Sequence, residues 1–117
     1  MAAGEFIIKQ NDTLPILEVC LFGKGNLGQR EVMSLAGATG VTFSMVDSCG
    51  DYAIMKQTAQ ITNMTAGTIQ YSWTTADTSE AGKFNGEFEI TYTGGGKMSV
   101  PQIGGIPIRI TEDISPY

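Results

Sequence analysis

Residues 23–28 spell GKGNLG, a G-x-G-x-x-G that follows the apolar run PILEVCLF at 15–22. Further along, a second apolar run, VTFSMV, ends at Asp47. In a dinucleotide-binding unit these parts are the strand, the glycine turn that lets backbone approach a pyrophosphate, and the carboxylate that takes a ribose hydroxyl. That chemistry also needs a helix whose N-terminal amides face the phosphates and which crosses back over a parallel sheet. Between Gly28 and Val41 only QREVMSLA (29–36) could be helical, for at most two turns, before Gly37 and Gly40 break it. The motif therefore reads as a glycine-rich loop connecting Phe22 to the strand that begins near Val41, and no nucleotide is expected there. A Walker-type phosphate loop fails more simply, because no Gly-Lys-Ser/Thr occurs.

Other candidate chemistry is thin. The chain has no histidine, which removes Ser-His-Asp and Cys-His arrangements. Cys20 and Cys49 are its only cysteines, and without imidazole or a C-x-x-C pair they make no zinc site. A disulfide between them is one reading. Two buried thiols are the preferred one, since the opening MAAGEFIIKQ lacks the basic and apolar regions of a secretion signal.

Glu87 and Glu89 stand two apart on a strand and share a face, a spacing that could bring two glycosidase carboxylates together. They oppose the aromatic face, however, and read as solvated charges. Asp47, Asp51, Glu112 and Asp113 would hold calcium only if their oxygens converged; otherwise they are loop and terminal charges. Trp73 with Tyr71 could stack a sugar ring, but an inward-facing strand tryptophan is first of all a core anchor. The expectation is a protein that is not an enzyme and has no cofactor or metal.

The elements that would position these residues are strands. The 117 residues are 42% hydrophobic and 16% charged, which suits one folded domain spanning 1–117, without linker or repeat. Period-two alternation puts Val41, Phe43 and Met45 on one face, then Ile69, Tyr71 and Trp73, then Phe84, Gly86, Phe88, Ile90 and Tyr92, then Ile106, Ile108 and Ile110. Further strands are expected at 6–9, 15–22, 52–57 and 59–62, with turns at 48–51 and 65–67. Gly94, Gly95 and Gly96 mark a hairpin between ITYT and KMSV. Pro101 and Pro107 should confine the last two strands to edges or bulges. Eight or nine short strands with half-buried faces indicate an all-β, antiparallel β-sandwich.

A net charge of −5, with the seven basic residues scattered singly, argues against nucleic-acid binding. No apolar stretch reaches the length of a membrane span, so no membrane partner is expected, and the chain reads as made and folded in cytosol.

Two stretches carry a resemblance to a known family: FIIKQNDTLPIL (6–17), and LAGATGVTFSMVD (35–47) followed by IQYSWTTADTSEAGKFNGEFEITYTGGGKMSVPQ (69–102). Together they resemble the immunoglobulin-like N-terminal domain of the baseplate upper protein family of tailed bacteriophages. The matching positions run in order through Lys9-Gln10, Asp12-Thr13, Pro15, Leu35, Gly37-Ala38, Phe43, Met45, Tyr71, Trp73, Asp77-Thr78, Ala81-Gly82 and Glu87-Phe88-Glu89. The likeness covers nearly the whole chain. Departures are Asn11 where the family has Gly, Phe84 where Tyr is common, and a longer, glycine-rich connection from Gly23 to Ser34.

The resemblance implies an immunoglobulin-like sandwich in which Asp77-Thr78 to Gly82 forms a corner between the sheets. Phe84 would fill the core there without supplying the corner's hydroxyl bond. It also implies a virion structural protein, a connector or decoration subunit of neck, tail or baseplate. Its partners would be other phage virion proteins and further copies of itself, and it would assemble into the virion in the host cytoplasm. The ends, MAAGEF and TEDISPY, are the expected docking arms, with Phe6, Ile114, Pro116 and Tyr117 as interface residues. The alternative is an adhesion module that binds host-surface or cell-wall glycan through Trp73, Tyr52 or Tyr92.

Overall fold

The computed structural model describes residues 5–24, 30–32, 35–101 and 104–114. Nine of its strands lie where the alternation predicts them. They are β1 (Phe6–Lys9), β2 (Leu17–Cys20), β5 (Ala38–Asp47), β6 (Tyr52–Thr58), β7 (Gln60–Asn63), β8 (Thr68–Tyr71), β9 (Gly82–Tyr92), β10 (Lys97–Val100) and β11 (Ile106–Thr111). Two short strands, β3 (Phe22–Lys24) and β4 (Arg30–Val32), make up the rest.

The larger sheet has the order β1-β11-β9-β5-β6, with β10 also pairing β9, and the smaller is β2-β8-β7. Among the described residues all pairings are antiparallel except β1 with β11, where the first and last described strands run side by side. Both sheets turn an apolar face inward, as period-two alternation requires. This is an immunoglobulin-like β-sandwich, with β6 as the edge strand beside β5.

The core forms where the inward rows meet. Phe43 on β5 is fully buried at its centre, with ring centroids 4.6 Å from Tyr71, 4.9 Å from Phe88 and 5.8 Å from Trp73. Aromatic pairs in offset or edge contact contribute roughly 0.5–1.5 kcal/mol each beyond the area they bury. One inward position of β9 is a glycine because nothing larger fits. A Cβ on Gly86 would lie 2.8 Å from both the Phe43 ring and Ile108 Cδ1.

The hairpin from β9 to β10 turns through Gly94 and Gly95, both in the left-handed region at φ 91° and 92°. Strand β10 reaches Val100, opposite Phe88, and β11 resumes at Ile106, opposite Gly86. Val100 and Ile106 therefore pair with β9 positions that are separated by a single residue, Glu87. Pro107 was expected to confine its strand to an edge or a bulge, and β11 lies inside the sheet, between β1 and β9. The proline is accommodated because the described ladder with β1 begins one residue later, at Ile108.

Two further expectations are corrected. Arg30–Val32, inside the stretch read as a possible helix, is extended and pairs with β3 in the register Phe22↔Val32, Gly23↔Glu31, Lys24↔Arg30. The short apolar pattern of QREVMSLA fits either structure, and pairing with the neighbouring strand decides it. The cysteines are unpaired, but both are exposed rather than buried. Cys20 ends β2 on an outward position, its thiol 3.5 Å from the Ala66 carbonyl, and Cys49 lies in the turn between β5 and β6.

Candidate functional site

The glycine motif begins on a strand and leads into a strand. Gly23 and Lys24 belong to β3, β4 follows at Arg30, and Gly25 to Gly28 lie outside the described residues. Among the described residues no helix follows the motif, so none presents its N-terminus to a pyrophosphate. Asp47 is also committed locally: its Oδ1 accepts the amides of Cys49 and Asp51 at 2.9 and 3.0 Å, bracing the turn after β5. Among the described residues no group of three or more His, Cys, Asp or Glu is arranged to hold a metal ion. No helix there is long and apolar enough to cross a membrane.

Residues of the two resemblance-bearing stretches meet at one end of the sandwich. The corner between β8 and β9 is pinned by Asp77, whose Oδ2 accepts the Tyr71 hydroxyl at 2.6 Å and the Thr74 amide at 2.8 Å. The hydroxyl bond that Phe84 cannot make thus comes from Tyr71, on the strand that enters the corner. Burial of the Tyr71 phenol, together with its bond to Asp77 and that carboxylate's charge, holds its pKa above the ordinary tyrosine range.

The next residue, Thr78, is fully buried and donates its hydroxyl to the Asp12 carbonyl at 2.8 Å. The Asn11 amide returns a bond to the Thr78 carbonyl at 3.0 Å, and Gln10 Nε2 donates to the Ser79 carbonyl at 2.7 Å. Asn11 sits at φ 65°, a left-handed conformation that Asn tolerates better than most residues and that Gly would take freely. Gln10 Oε1 also accepts the Asp113 amide at 3.4 Å, which brings the segment after β11 to the same end.

The expected interface residues divide. Phe6 is part of β1 rather than of an arm: it is half-buried and its ring stacks on Trp73 at 5.8 Å. Ile114 is 89% exposed, the most exposed large apolar side chain among the described residues. Pro116 and Tyr117 lie outside the described residues. Of the aromatic residues considered for sugar stacking, Trp73 is buried and its Nε1 has no hydrogen-bond partner, Tyr92 is half-buried, and Tyr52 is 58% exposed.

A second surface, on which the alternation places Glu87 and Glu89 as solvated charges, is the outer face of the larger sheet. A groove of about 420 Å³ runs over it, lined by Ser44, Val46, Tyr52, Lys56, Asn85 and Glu87 among others. Registers fix two rows across three strands. Val46 of β5 faces Asn85 on β9 and Tyr52 on β6, while Ser44 faces Glu87 on β9.

The second row is completed from β6, where the Lys56 amide donates to Ser44 Oγ at 3.0 Å. Lys56 takes a positive φ of 46°, and the β5–β6 register shifts on both sides of Met45, so two bulges re-aim this part of the edge strand. Glu89, further along the outer face, is 3.9 Å from Lys97. No sequence motif announces this surface; the only signal was that Ser44, Glu87 and Glu89 occupy outward positions.

No family model matches the chain, and no curated protein matches it.

Proposed function

We propose that this chain is a structural subunit of a tailed-bacteriophage virion, a connector or decoration protein of neck, tail or baseplate. It works through protein–protein contacts, without catalysis or cofactor, and joins the particle in the host cytoplasm alongside other virion proteins and further copies of itself. The observation that carries this reading is the clamp between the two resemblance-bearing stretches. Gln10, Asn11 and Asp12 from one bind Thr78 and Ser79 from the other through three hydrogen bonds. Residues that look like a family signature in sequence are thereby one tertiary unit, as a shared fold would need.

Exposed Ile114, which follows the segment tied to Gln10, supports docking from this end, because such side chains gain most from burial against a partner. Buried Trp73 and half-buried Tyr92 leave the adhesion alternative with Tyr52 alone. The test is mass spectrometry and electron microscopy of purified particles from the genome that encodes the chain. Copies are expected at fixed positions on the particle, and removing residues 113–117 should reduce incorporation while the domain stays folded. Particles without the chain would end the reading.

A further inference from the structure

The outer-face groove has a symmetry that its sequence does not advertise. On one side of β5 stand Asn85 and Glu87 of β9, and on the other, at the same two levels, Tyr52 and Lys56 of β6. Neighbouring strands are about 4.8 Å apart, so Glu87 and Lys56, one strand either side of β5, stand about 10 Å apart and do not pair within one copy. Among the described residues neither has an ion-pair partner, and both are exposed.

We propose that this face pairs with the same face of a second copy of the chain, about a two-fold axis running along β5. Such a rotation keeps the level along the strands and exchanges the β9 side with the β6 side. Glu87 then meets Lys56 of the second copy, and Lys56 meets its Glu87, giving two equivalent ion pairs from one complementary surface. Val46 and Ser44 lie on the axis and meet their own counterparts.

The exposed phenol of Tyr52 comes over Asn85 of the second copy. Gly105 packs directly on Asn85 from the same sheet, so closely that a Cβ there would lie 2.8 Å from Asn85 Cβ. The axis also leaves facing strands aligned, the arrangement in which two sheets stack within about 30° of each other. The bulged, left-handed Lys56 acquires a purpose: it places a cation at the level of Glu87, on the far side of Ser44. This deepens the reading of the chain as a self-associating virion subunit, and it rests on that reading for the claim that copies meet in the particle.

Analytical ultracentrifugation of the purified chain in reducing buffer, from about 10 μM to about 1 mM, tests the pairing directly. A reversible dimer is expected. Lys56→Glu or Glu87→Lys alone sets like charges together at both equivalent contacts and should weaken it by about tenfold or more. The two combined restore opposite charges and should return affinity to within about threefold of the original chain. In a chain also carrying Cys20→Ser and Cys49→Ser, Val46→Cys should form an intermolecular disulfide on oxidation.

A chain that stays monomeric throughout overturns the proposal. So do single variants that dimerise normally, or a double variant no better than either single. Those results leave the virion reading to be judged by whether particles contain the chain, and particles that lack it leave the dimer measurement standing.

Discussion

Thr78 Oγ1 donates to the main-chain oxygen of Asp12 over 2.8 Å, joining positions 66 residues apart through a side chain with no solvent exposure. A buried hydroxyl fastens the sheet-to-sheet corner onto the turn after β1 at one end of the sandwich. Thr78→Val keeps the volume and removes the donor, leaving the Asp12 carbonyl without that bond. The expected loss is about 1–2 kcal/mol, measured by urea unfolding. The Asn11 amide should exchange faster with solvent in the same variant. Unchanged stability and exchange would show that the turn holds itself.

Tyr71 should make the fold sensitive to alkali. Its pKa is raised in the folded state, so the folded chain retains the phenolic proton at pH values where the unfolded chain, near pH 10, has released it. The contribution is fully present below about pH 10 and falls as pH rises through and beyond it. Tyr71→Phe should cost about 1–3 kcal/mol at neutral pH and flatten the alkaline decline. Urea unfolding at neutral and alkaline pH, with phenolate absorbance followed in parallel, reads both effects. A variant whose stability falls with alkali as steeply as that of the original chain would assign the sensitivity elsewhere.

Gly86 should not tolerate even a methyl group. The added carbon would press on the Phe43 ring, which is wedged between Tyr71 and Phe88 and cannot withdraw, and on Ile108. Gly86→Ala is expected to destabilise by about 1–3 kcal/mol through overpacking. Chemical denaturation measures it, and a neutral result would mean that Phe43 has space to move.

Trp73 is the only tryptophan, and it is buried. Iodide should quench its fluorescence little in the folded protein and strongly after unfolding. Strong quenching of the folded chain would return the indole to the surface and revive a sugar-stacking role.

Most of the sandwich was legible because its strands have one dry face. Phe84, Phe88 and Ile90 alternate with Asn85, Glu87 and Glu89, and burial follows that alternation residue by residue. The outward position of Cys20 follows from the same rule, since β2 alternates inward from Leu17. Free cysteines are commonly buried, but the outward register of β2 outweighs that tendency at Cys20. The β3–β4 hairpin was missed because three-residue strands leave too little pattern to separate from a helical turn.

The groove was illegible for a different reason. Its two rows depend on bulges that shift β6 against β5, and a bulge inserts a residue without changing composition. The corner lay between these extremes. Asp77-Thr78 could be recognised, but that Tyr71 would supply the hydroxyl depends on how the strand enters the turn.

The parallel pairing of β1 with β11 also sets an order of events during synthesis. Strand β1 is made before every other described strand, and its described sheet partner, β11, is made after all of them. Until β11 leaves the ribosome, the nascent chain presents Phe6 to Lys9 as an unpaired edge and lacks the strand that closes β9 on that side. A chain stalled before residue 106 would leave β1 and the Gly82–Gly86 stretch of β9 without the strand that lies between them in the folded sheet.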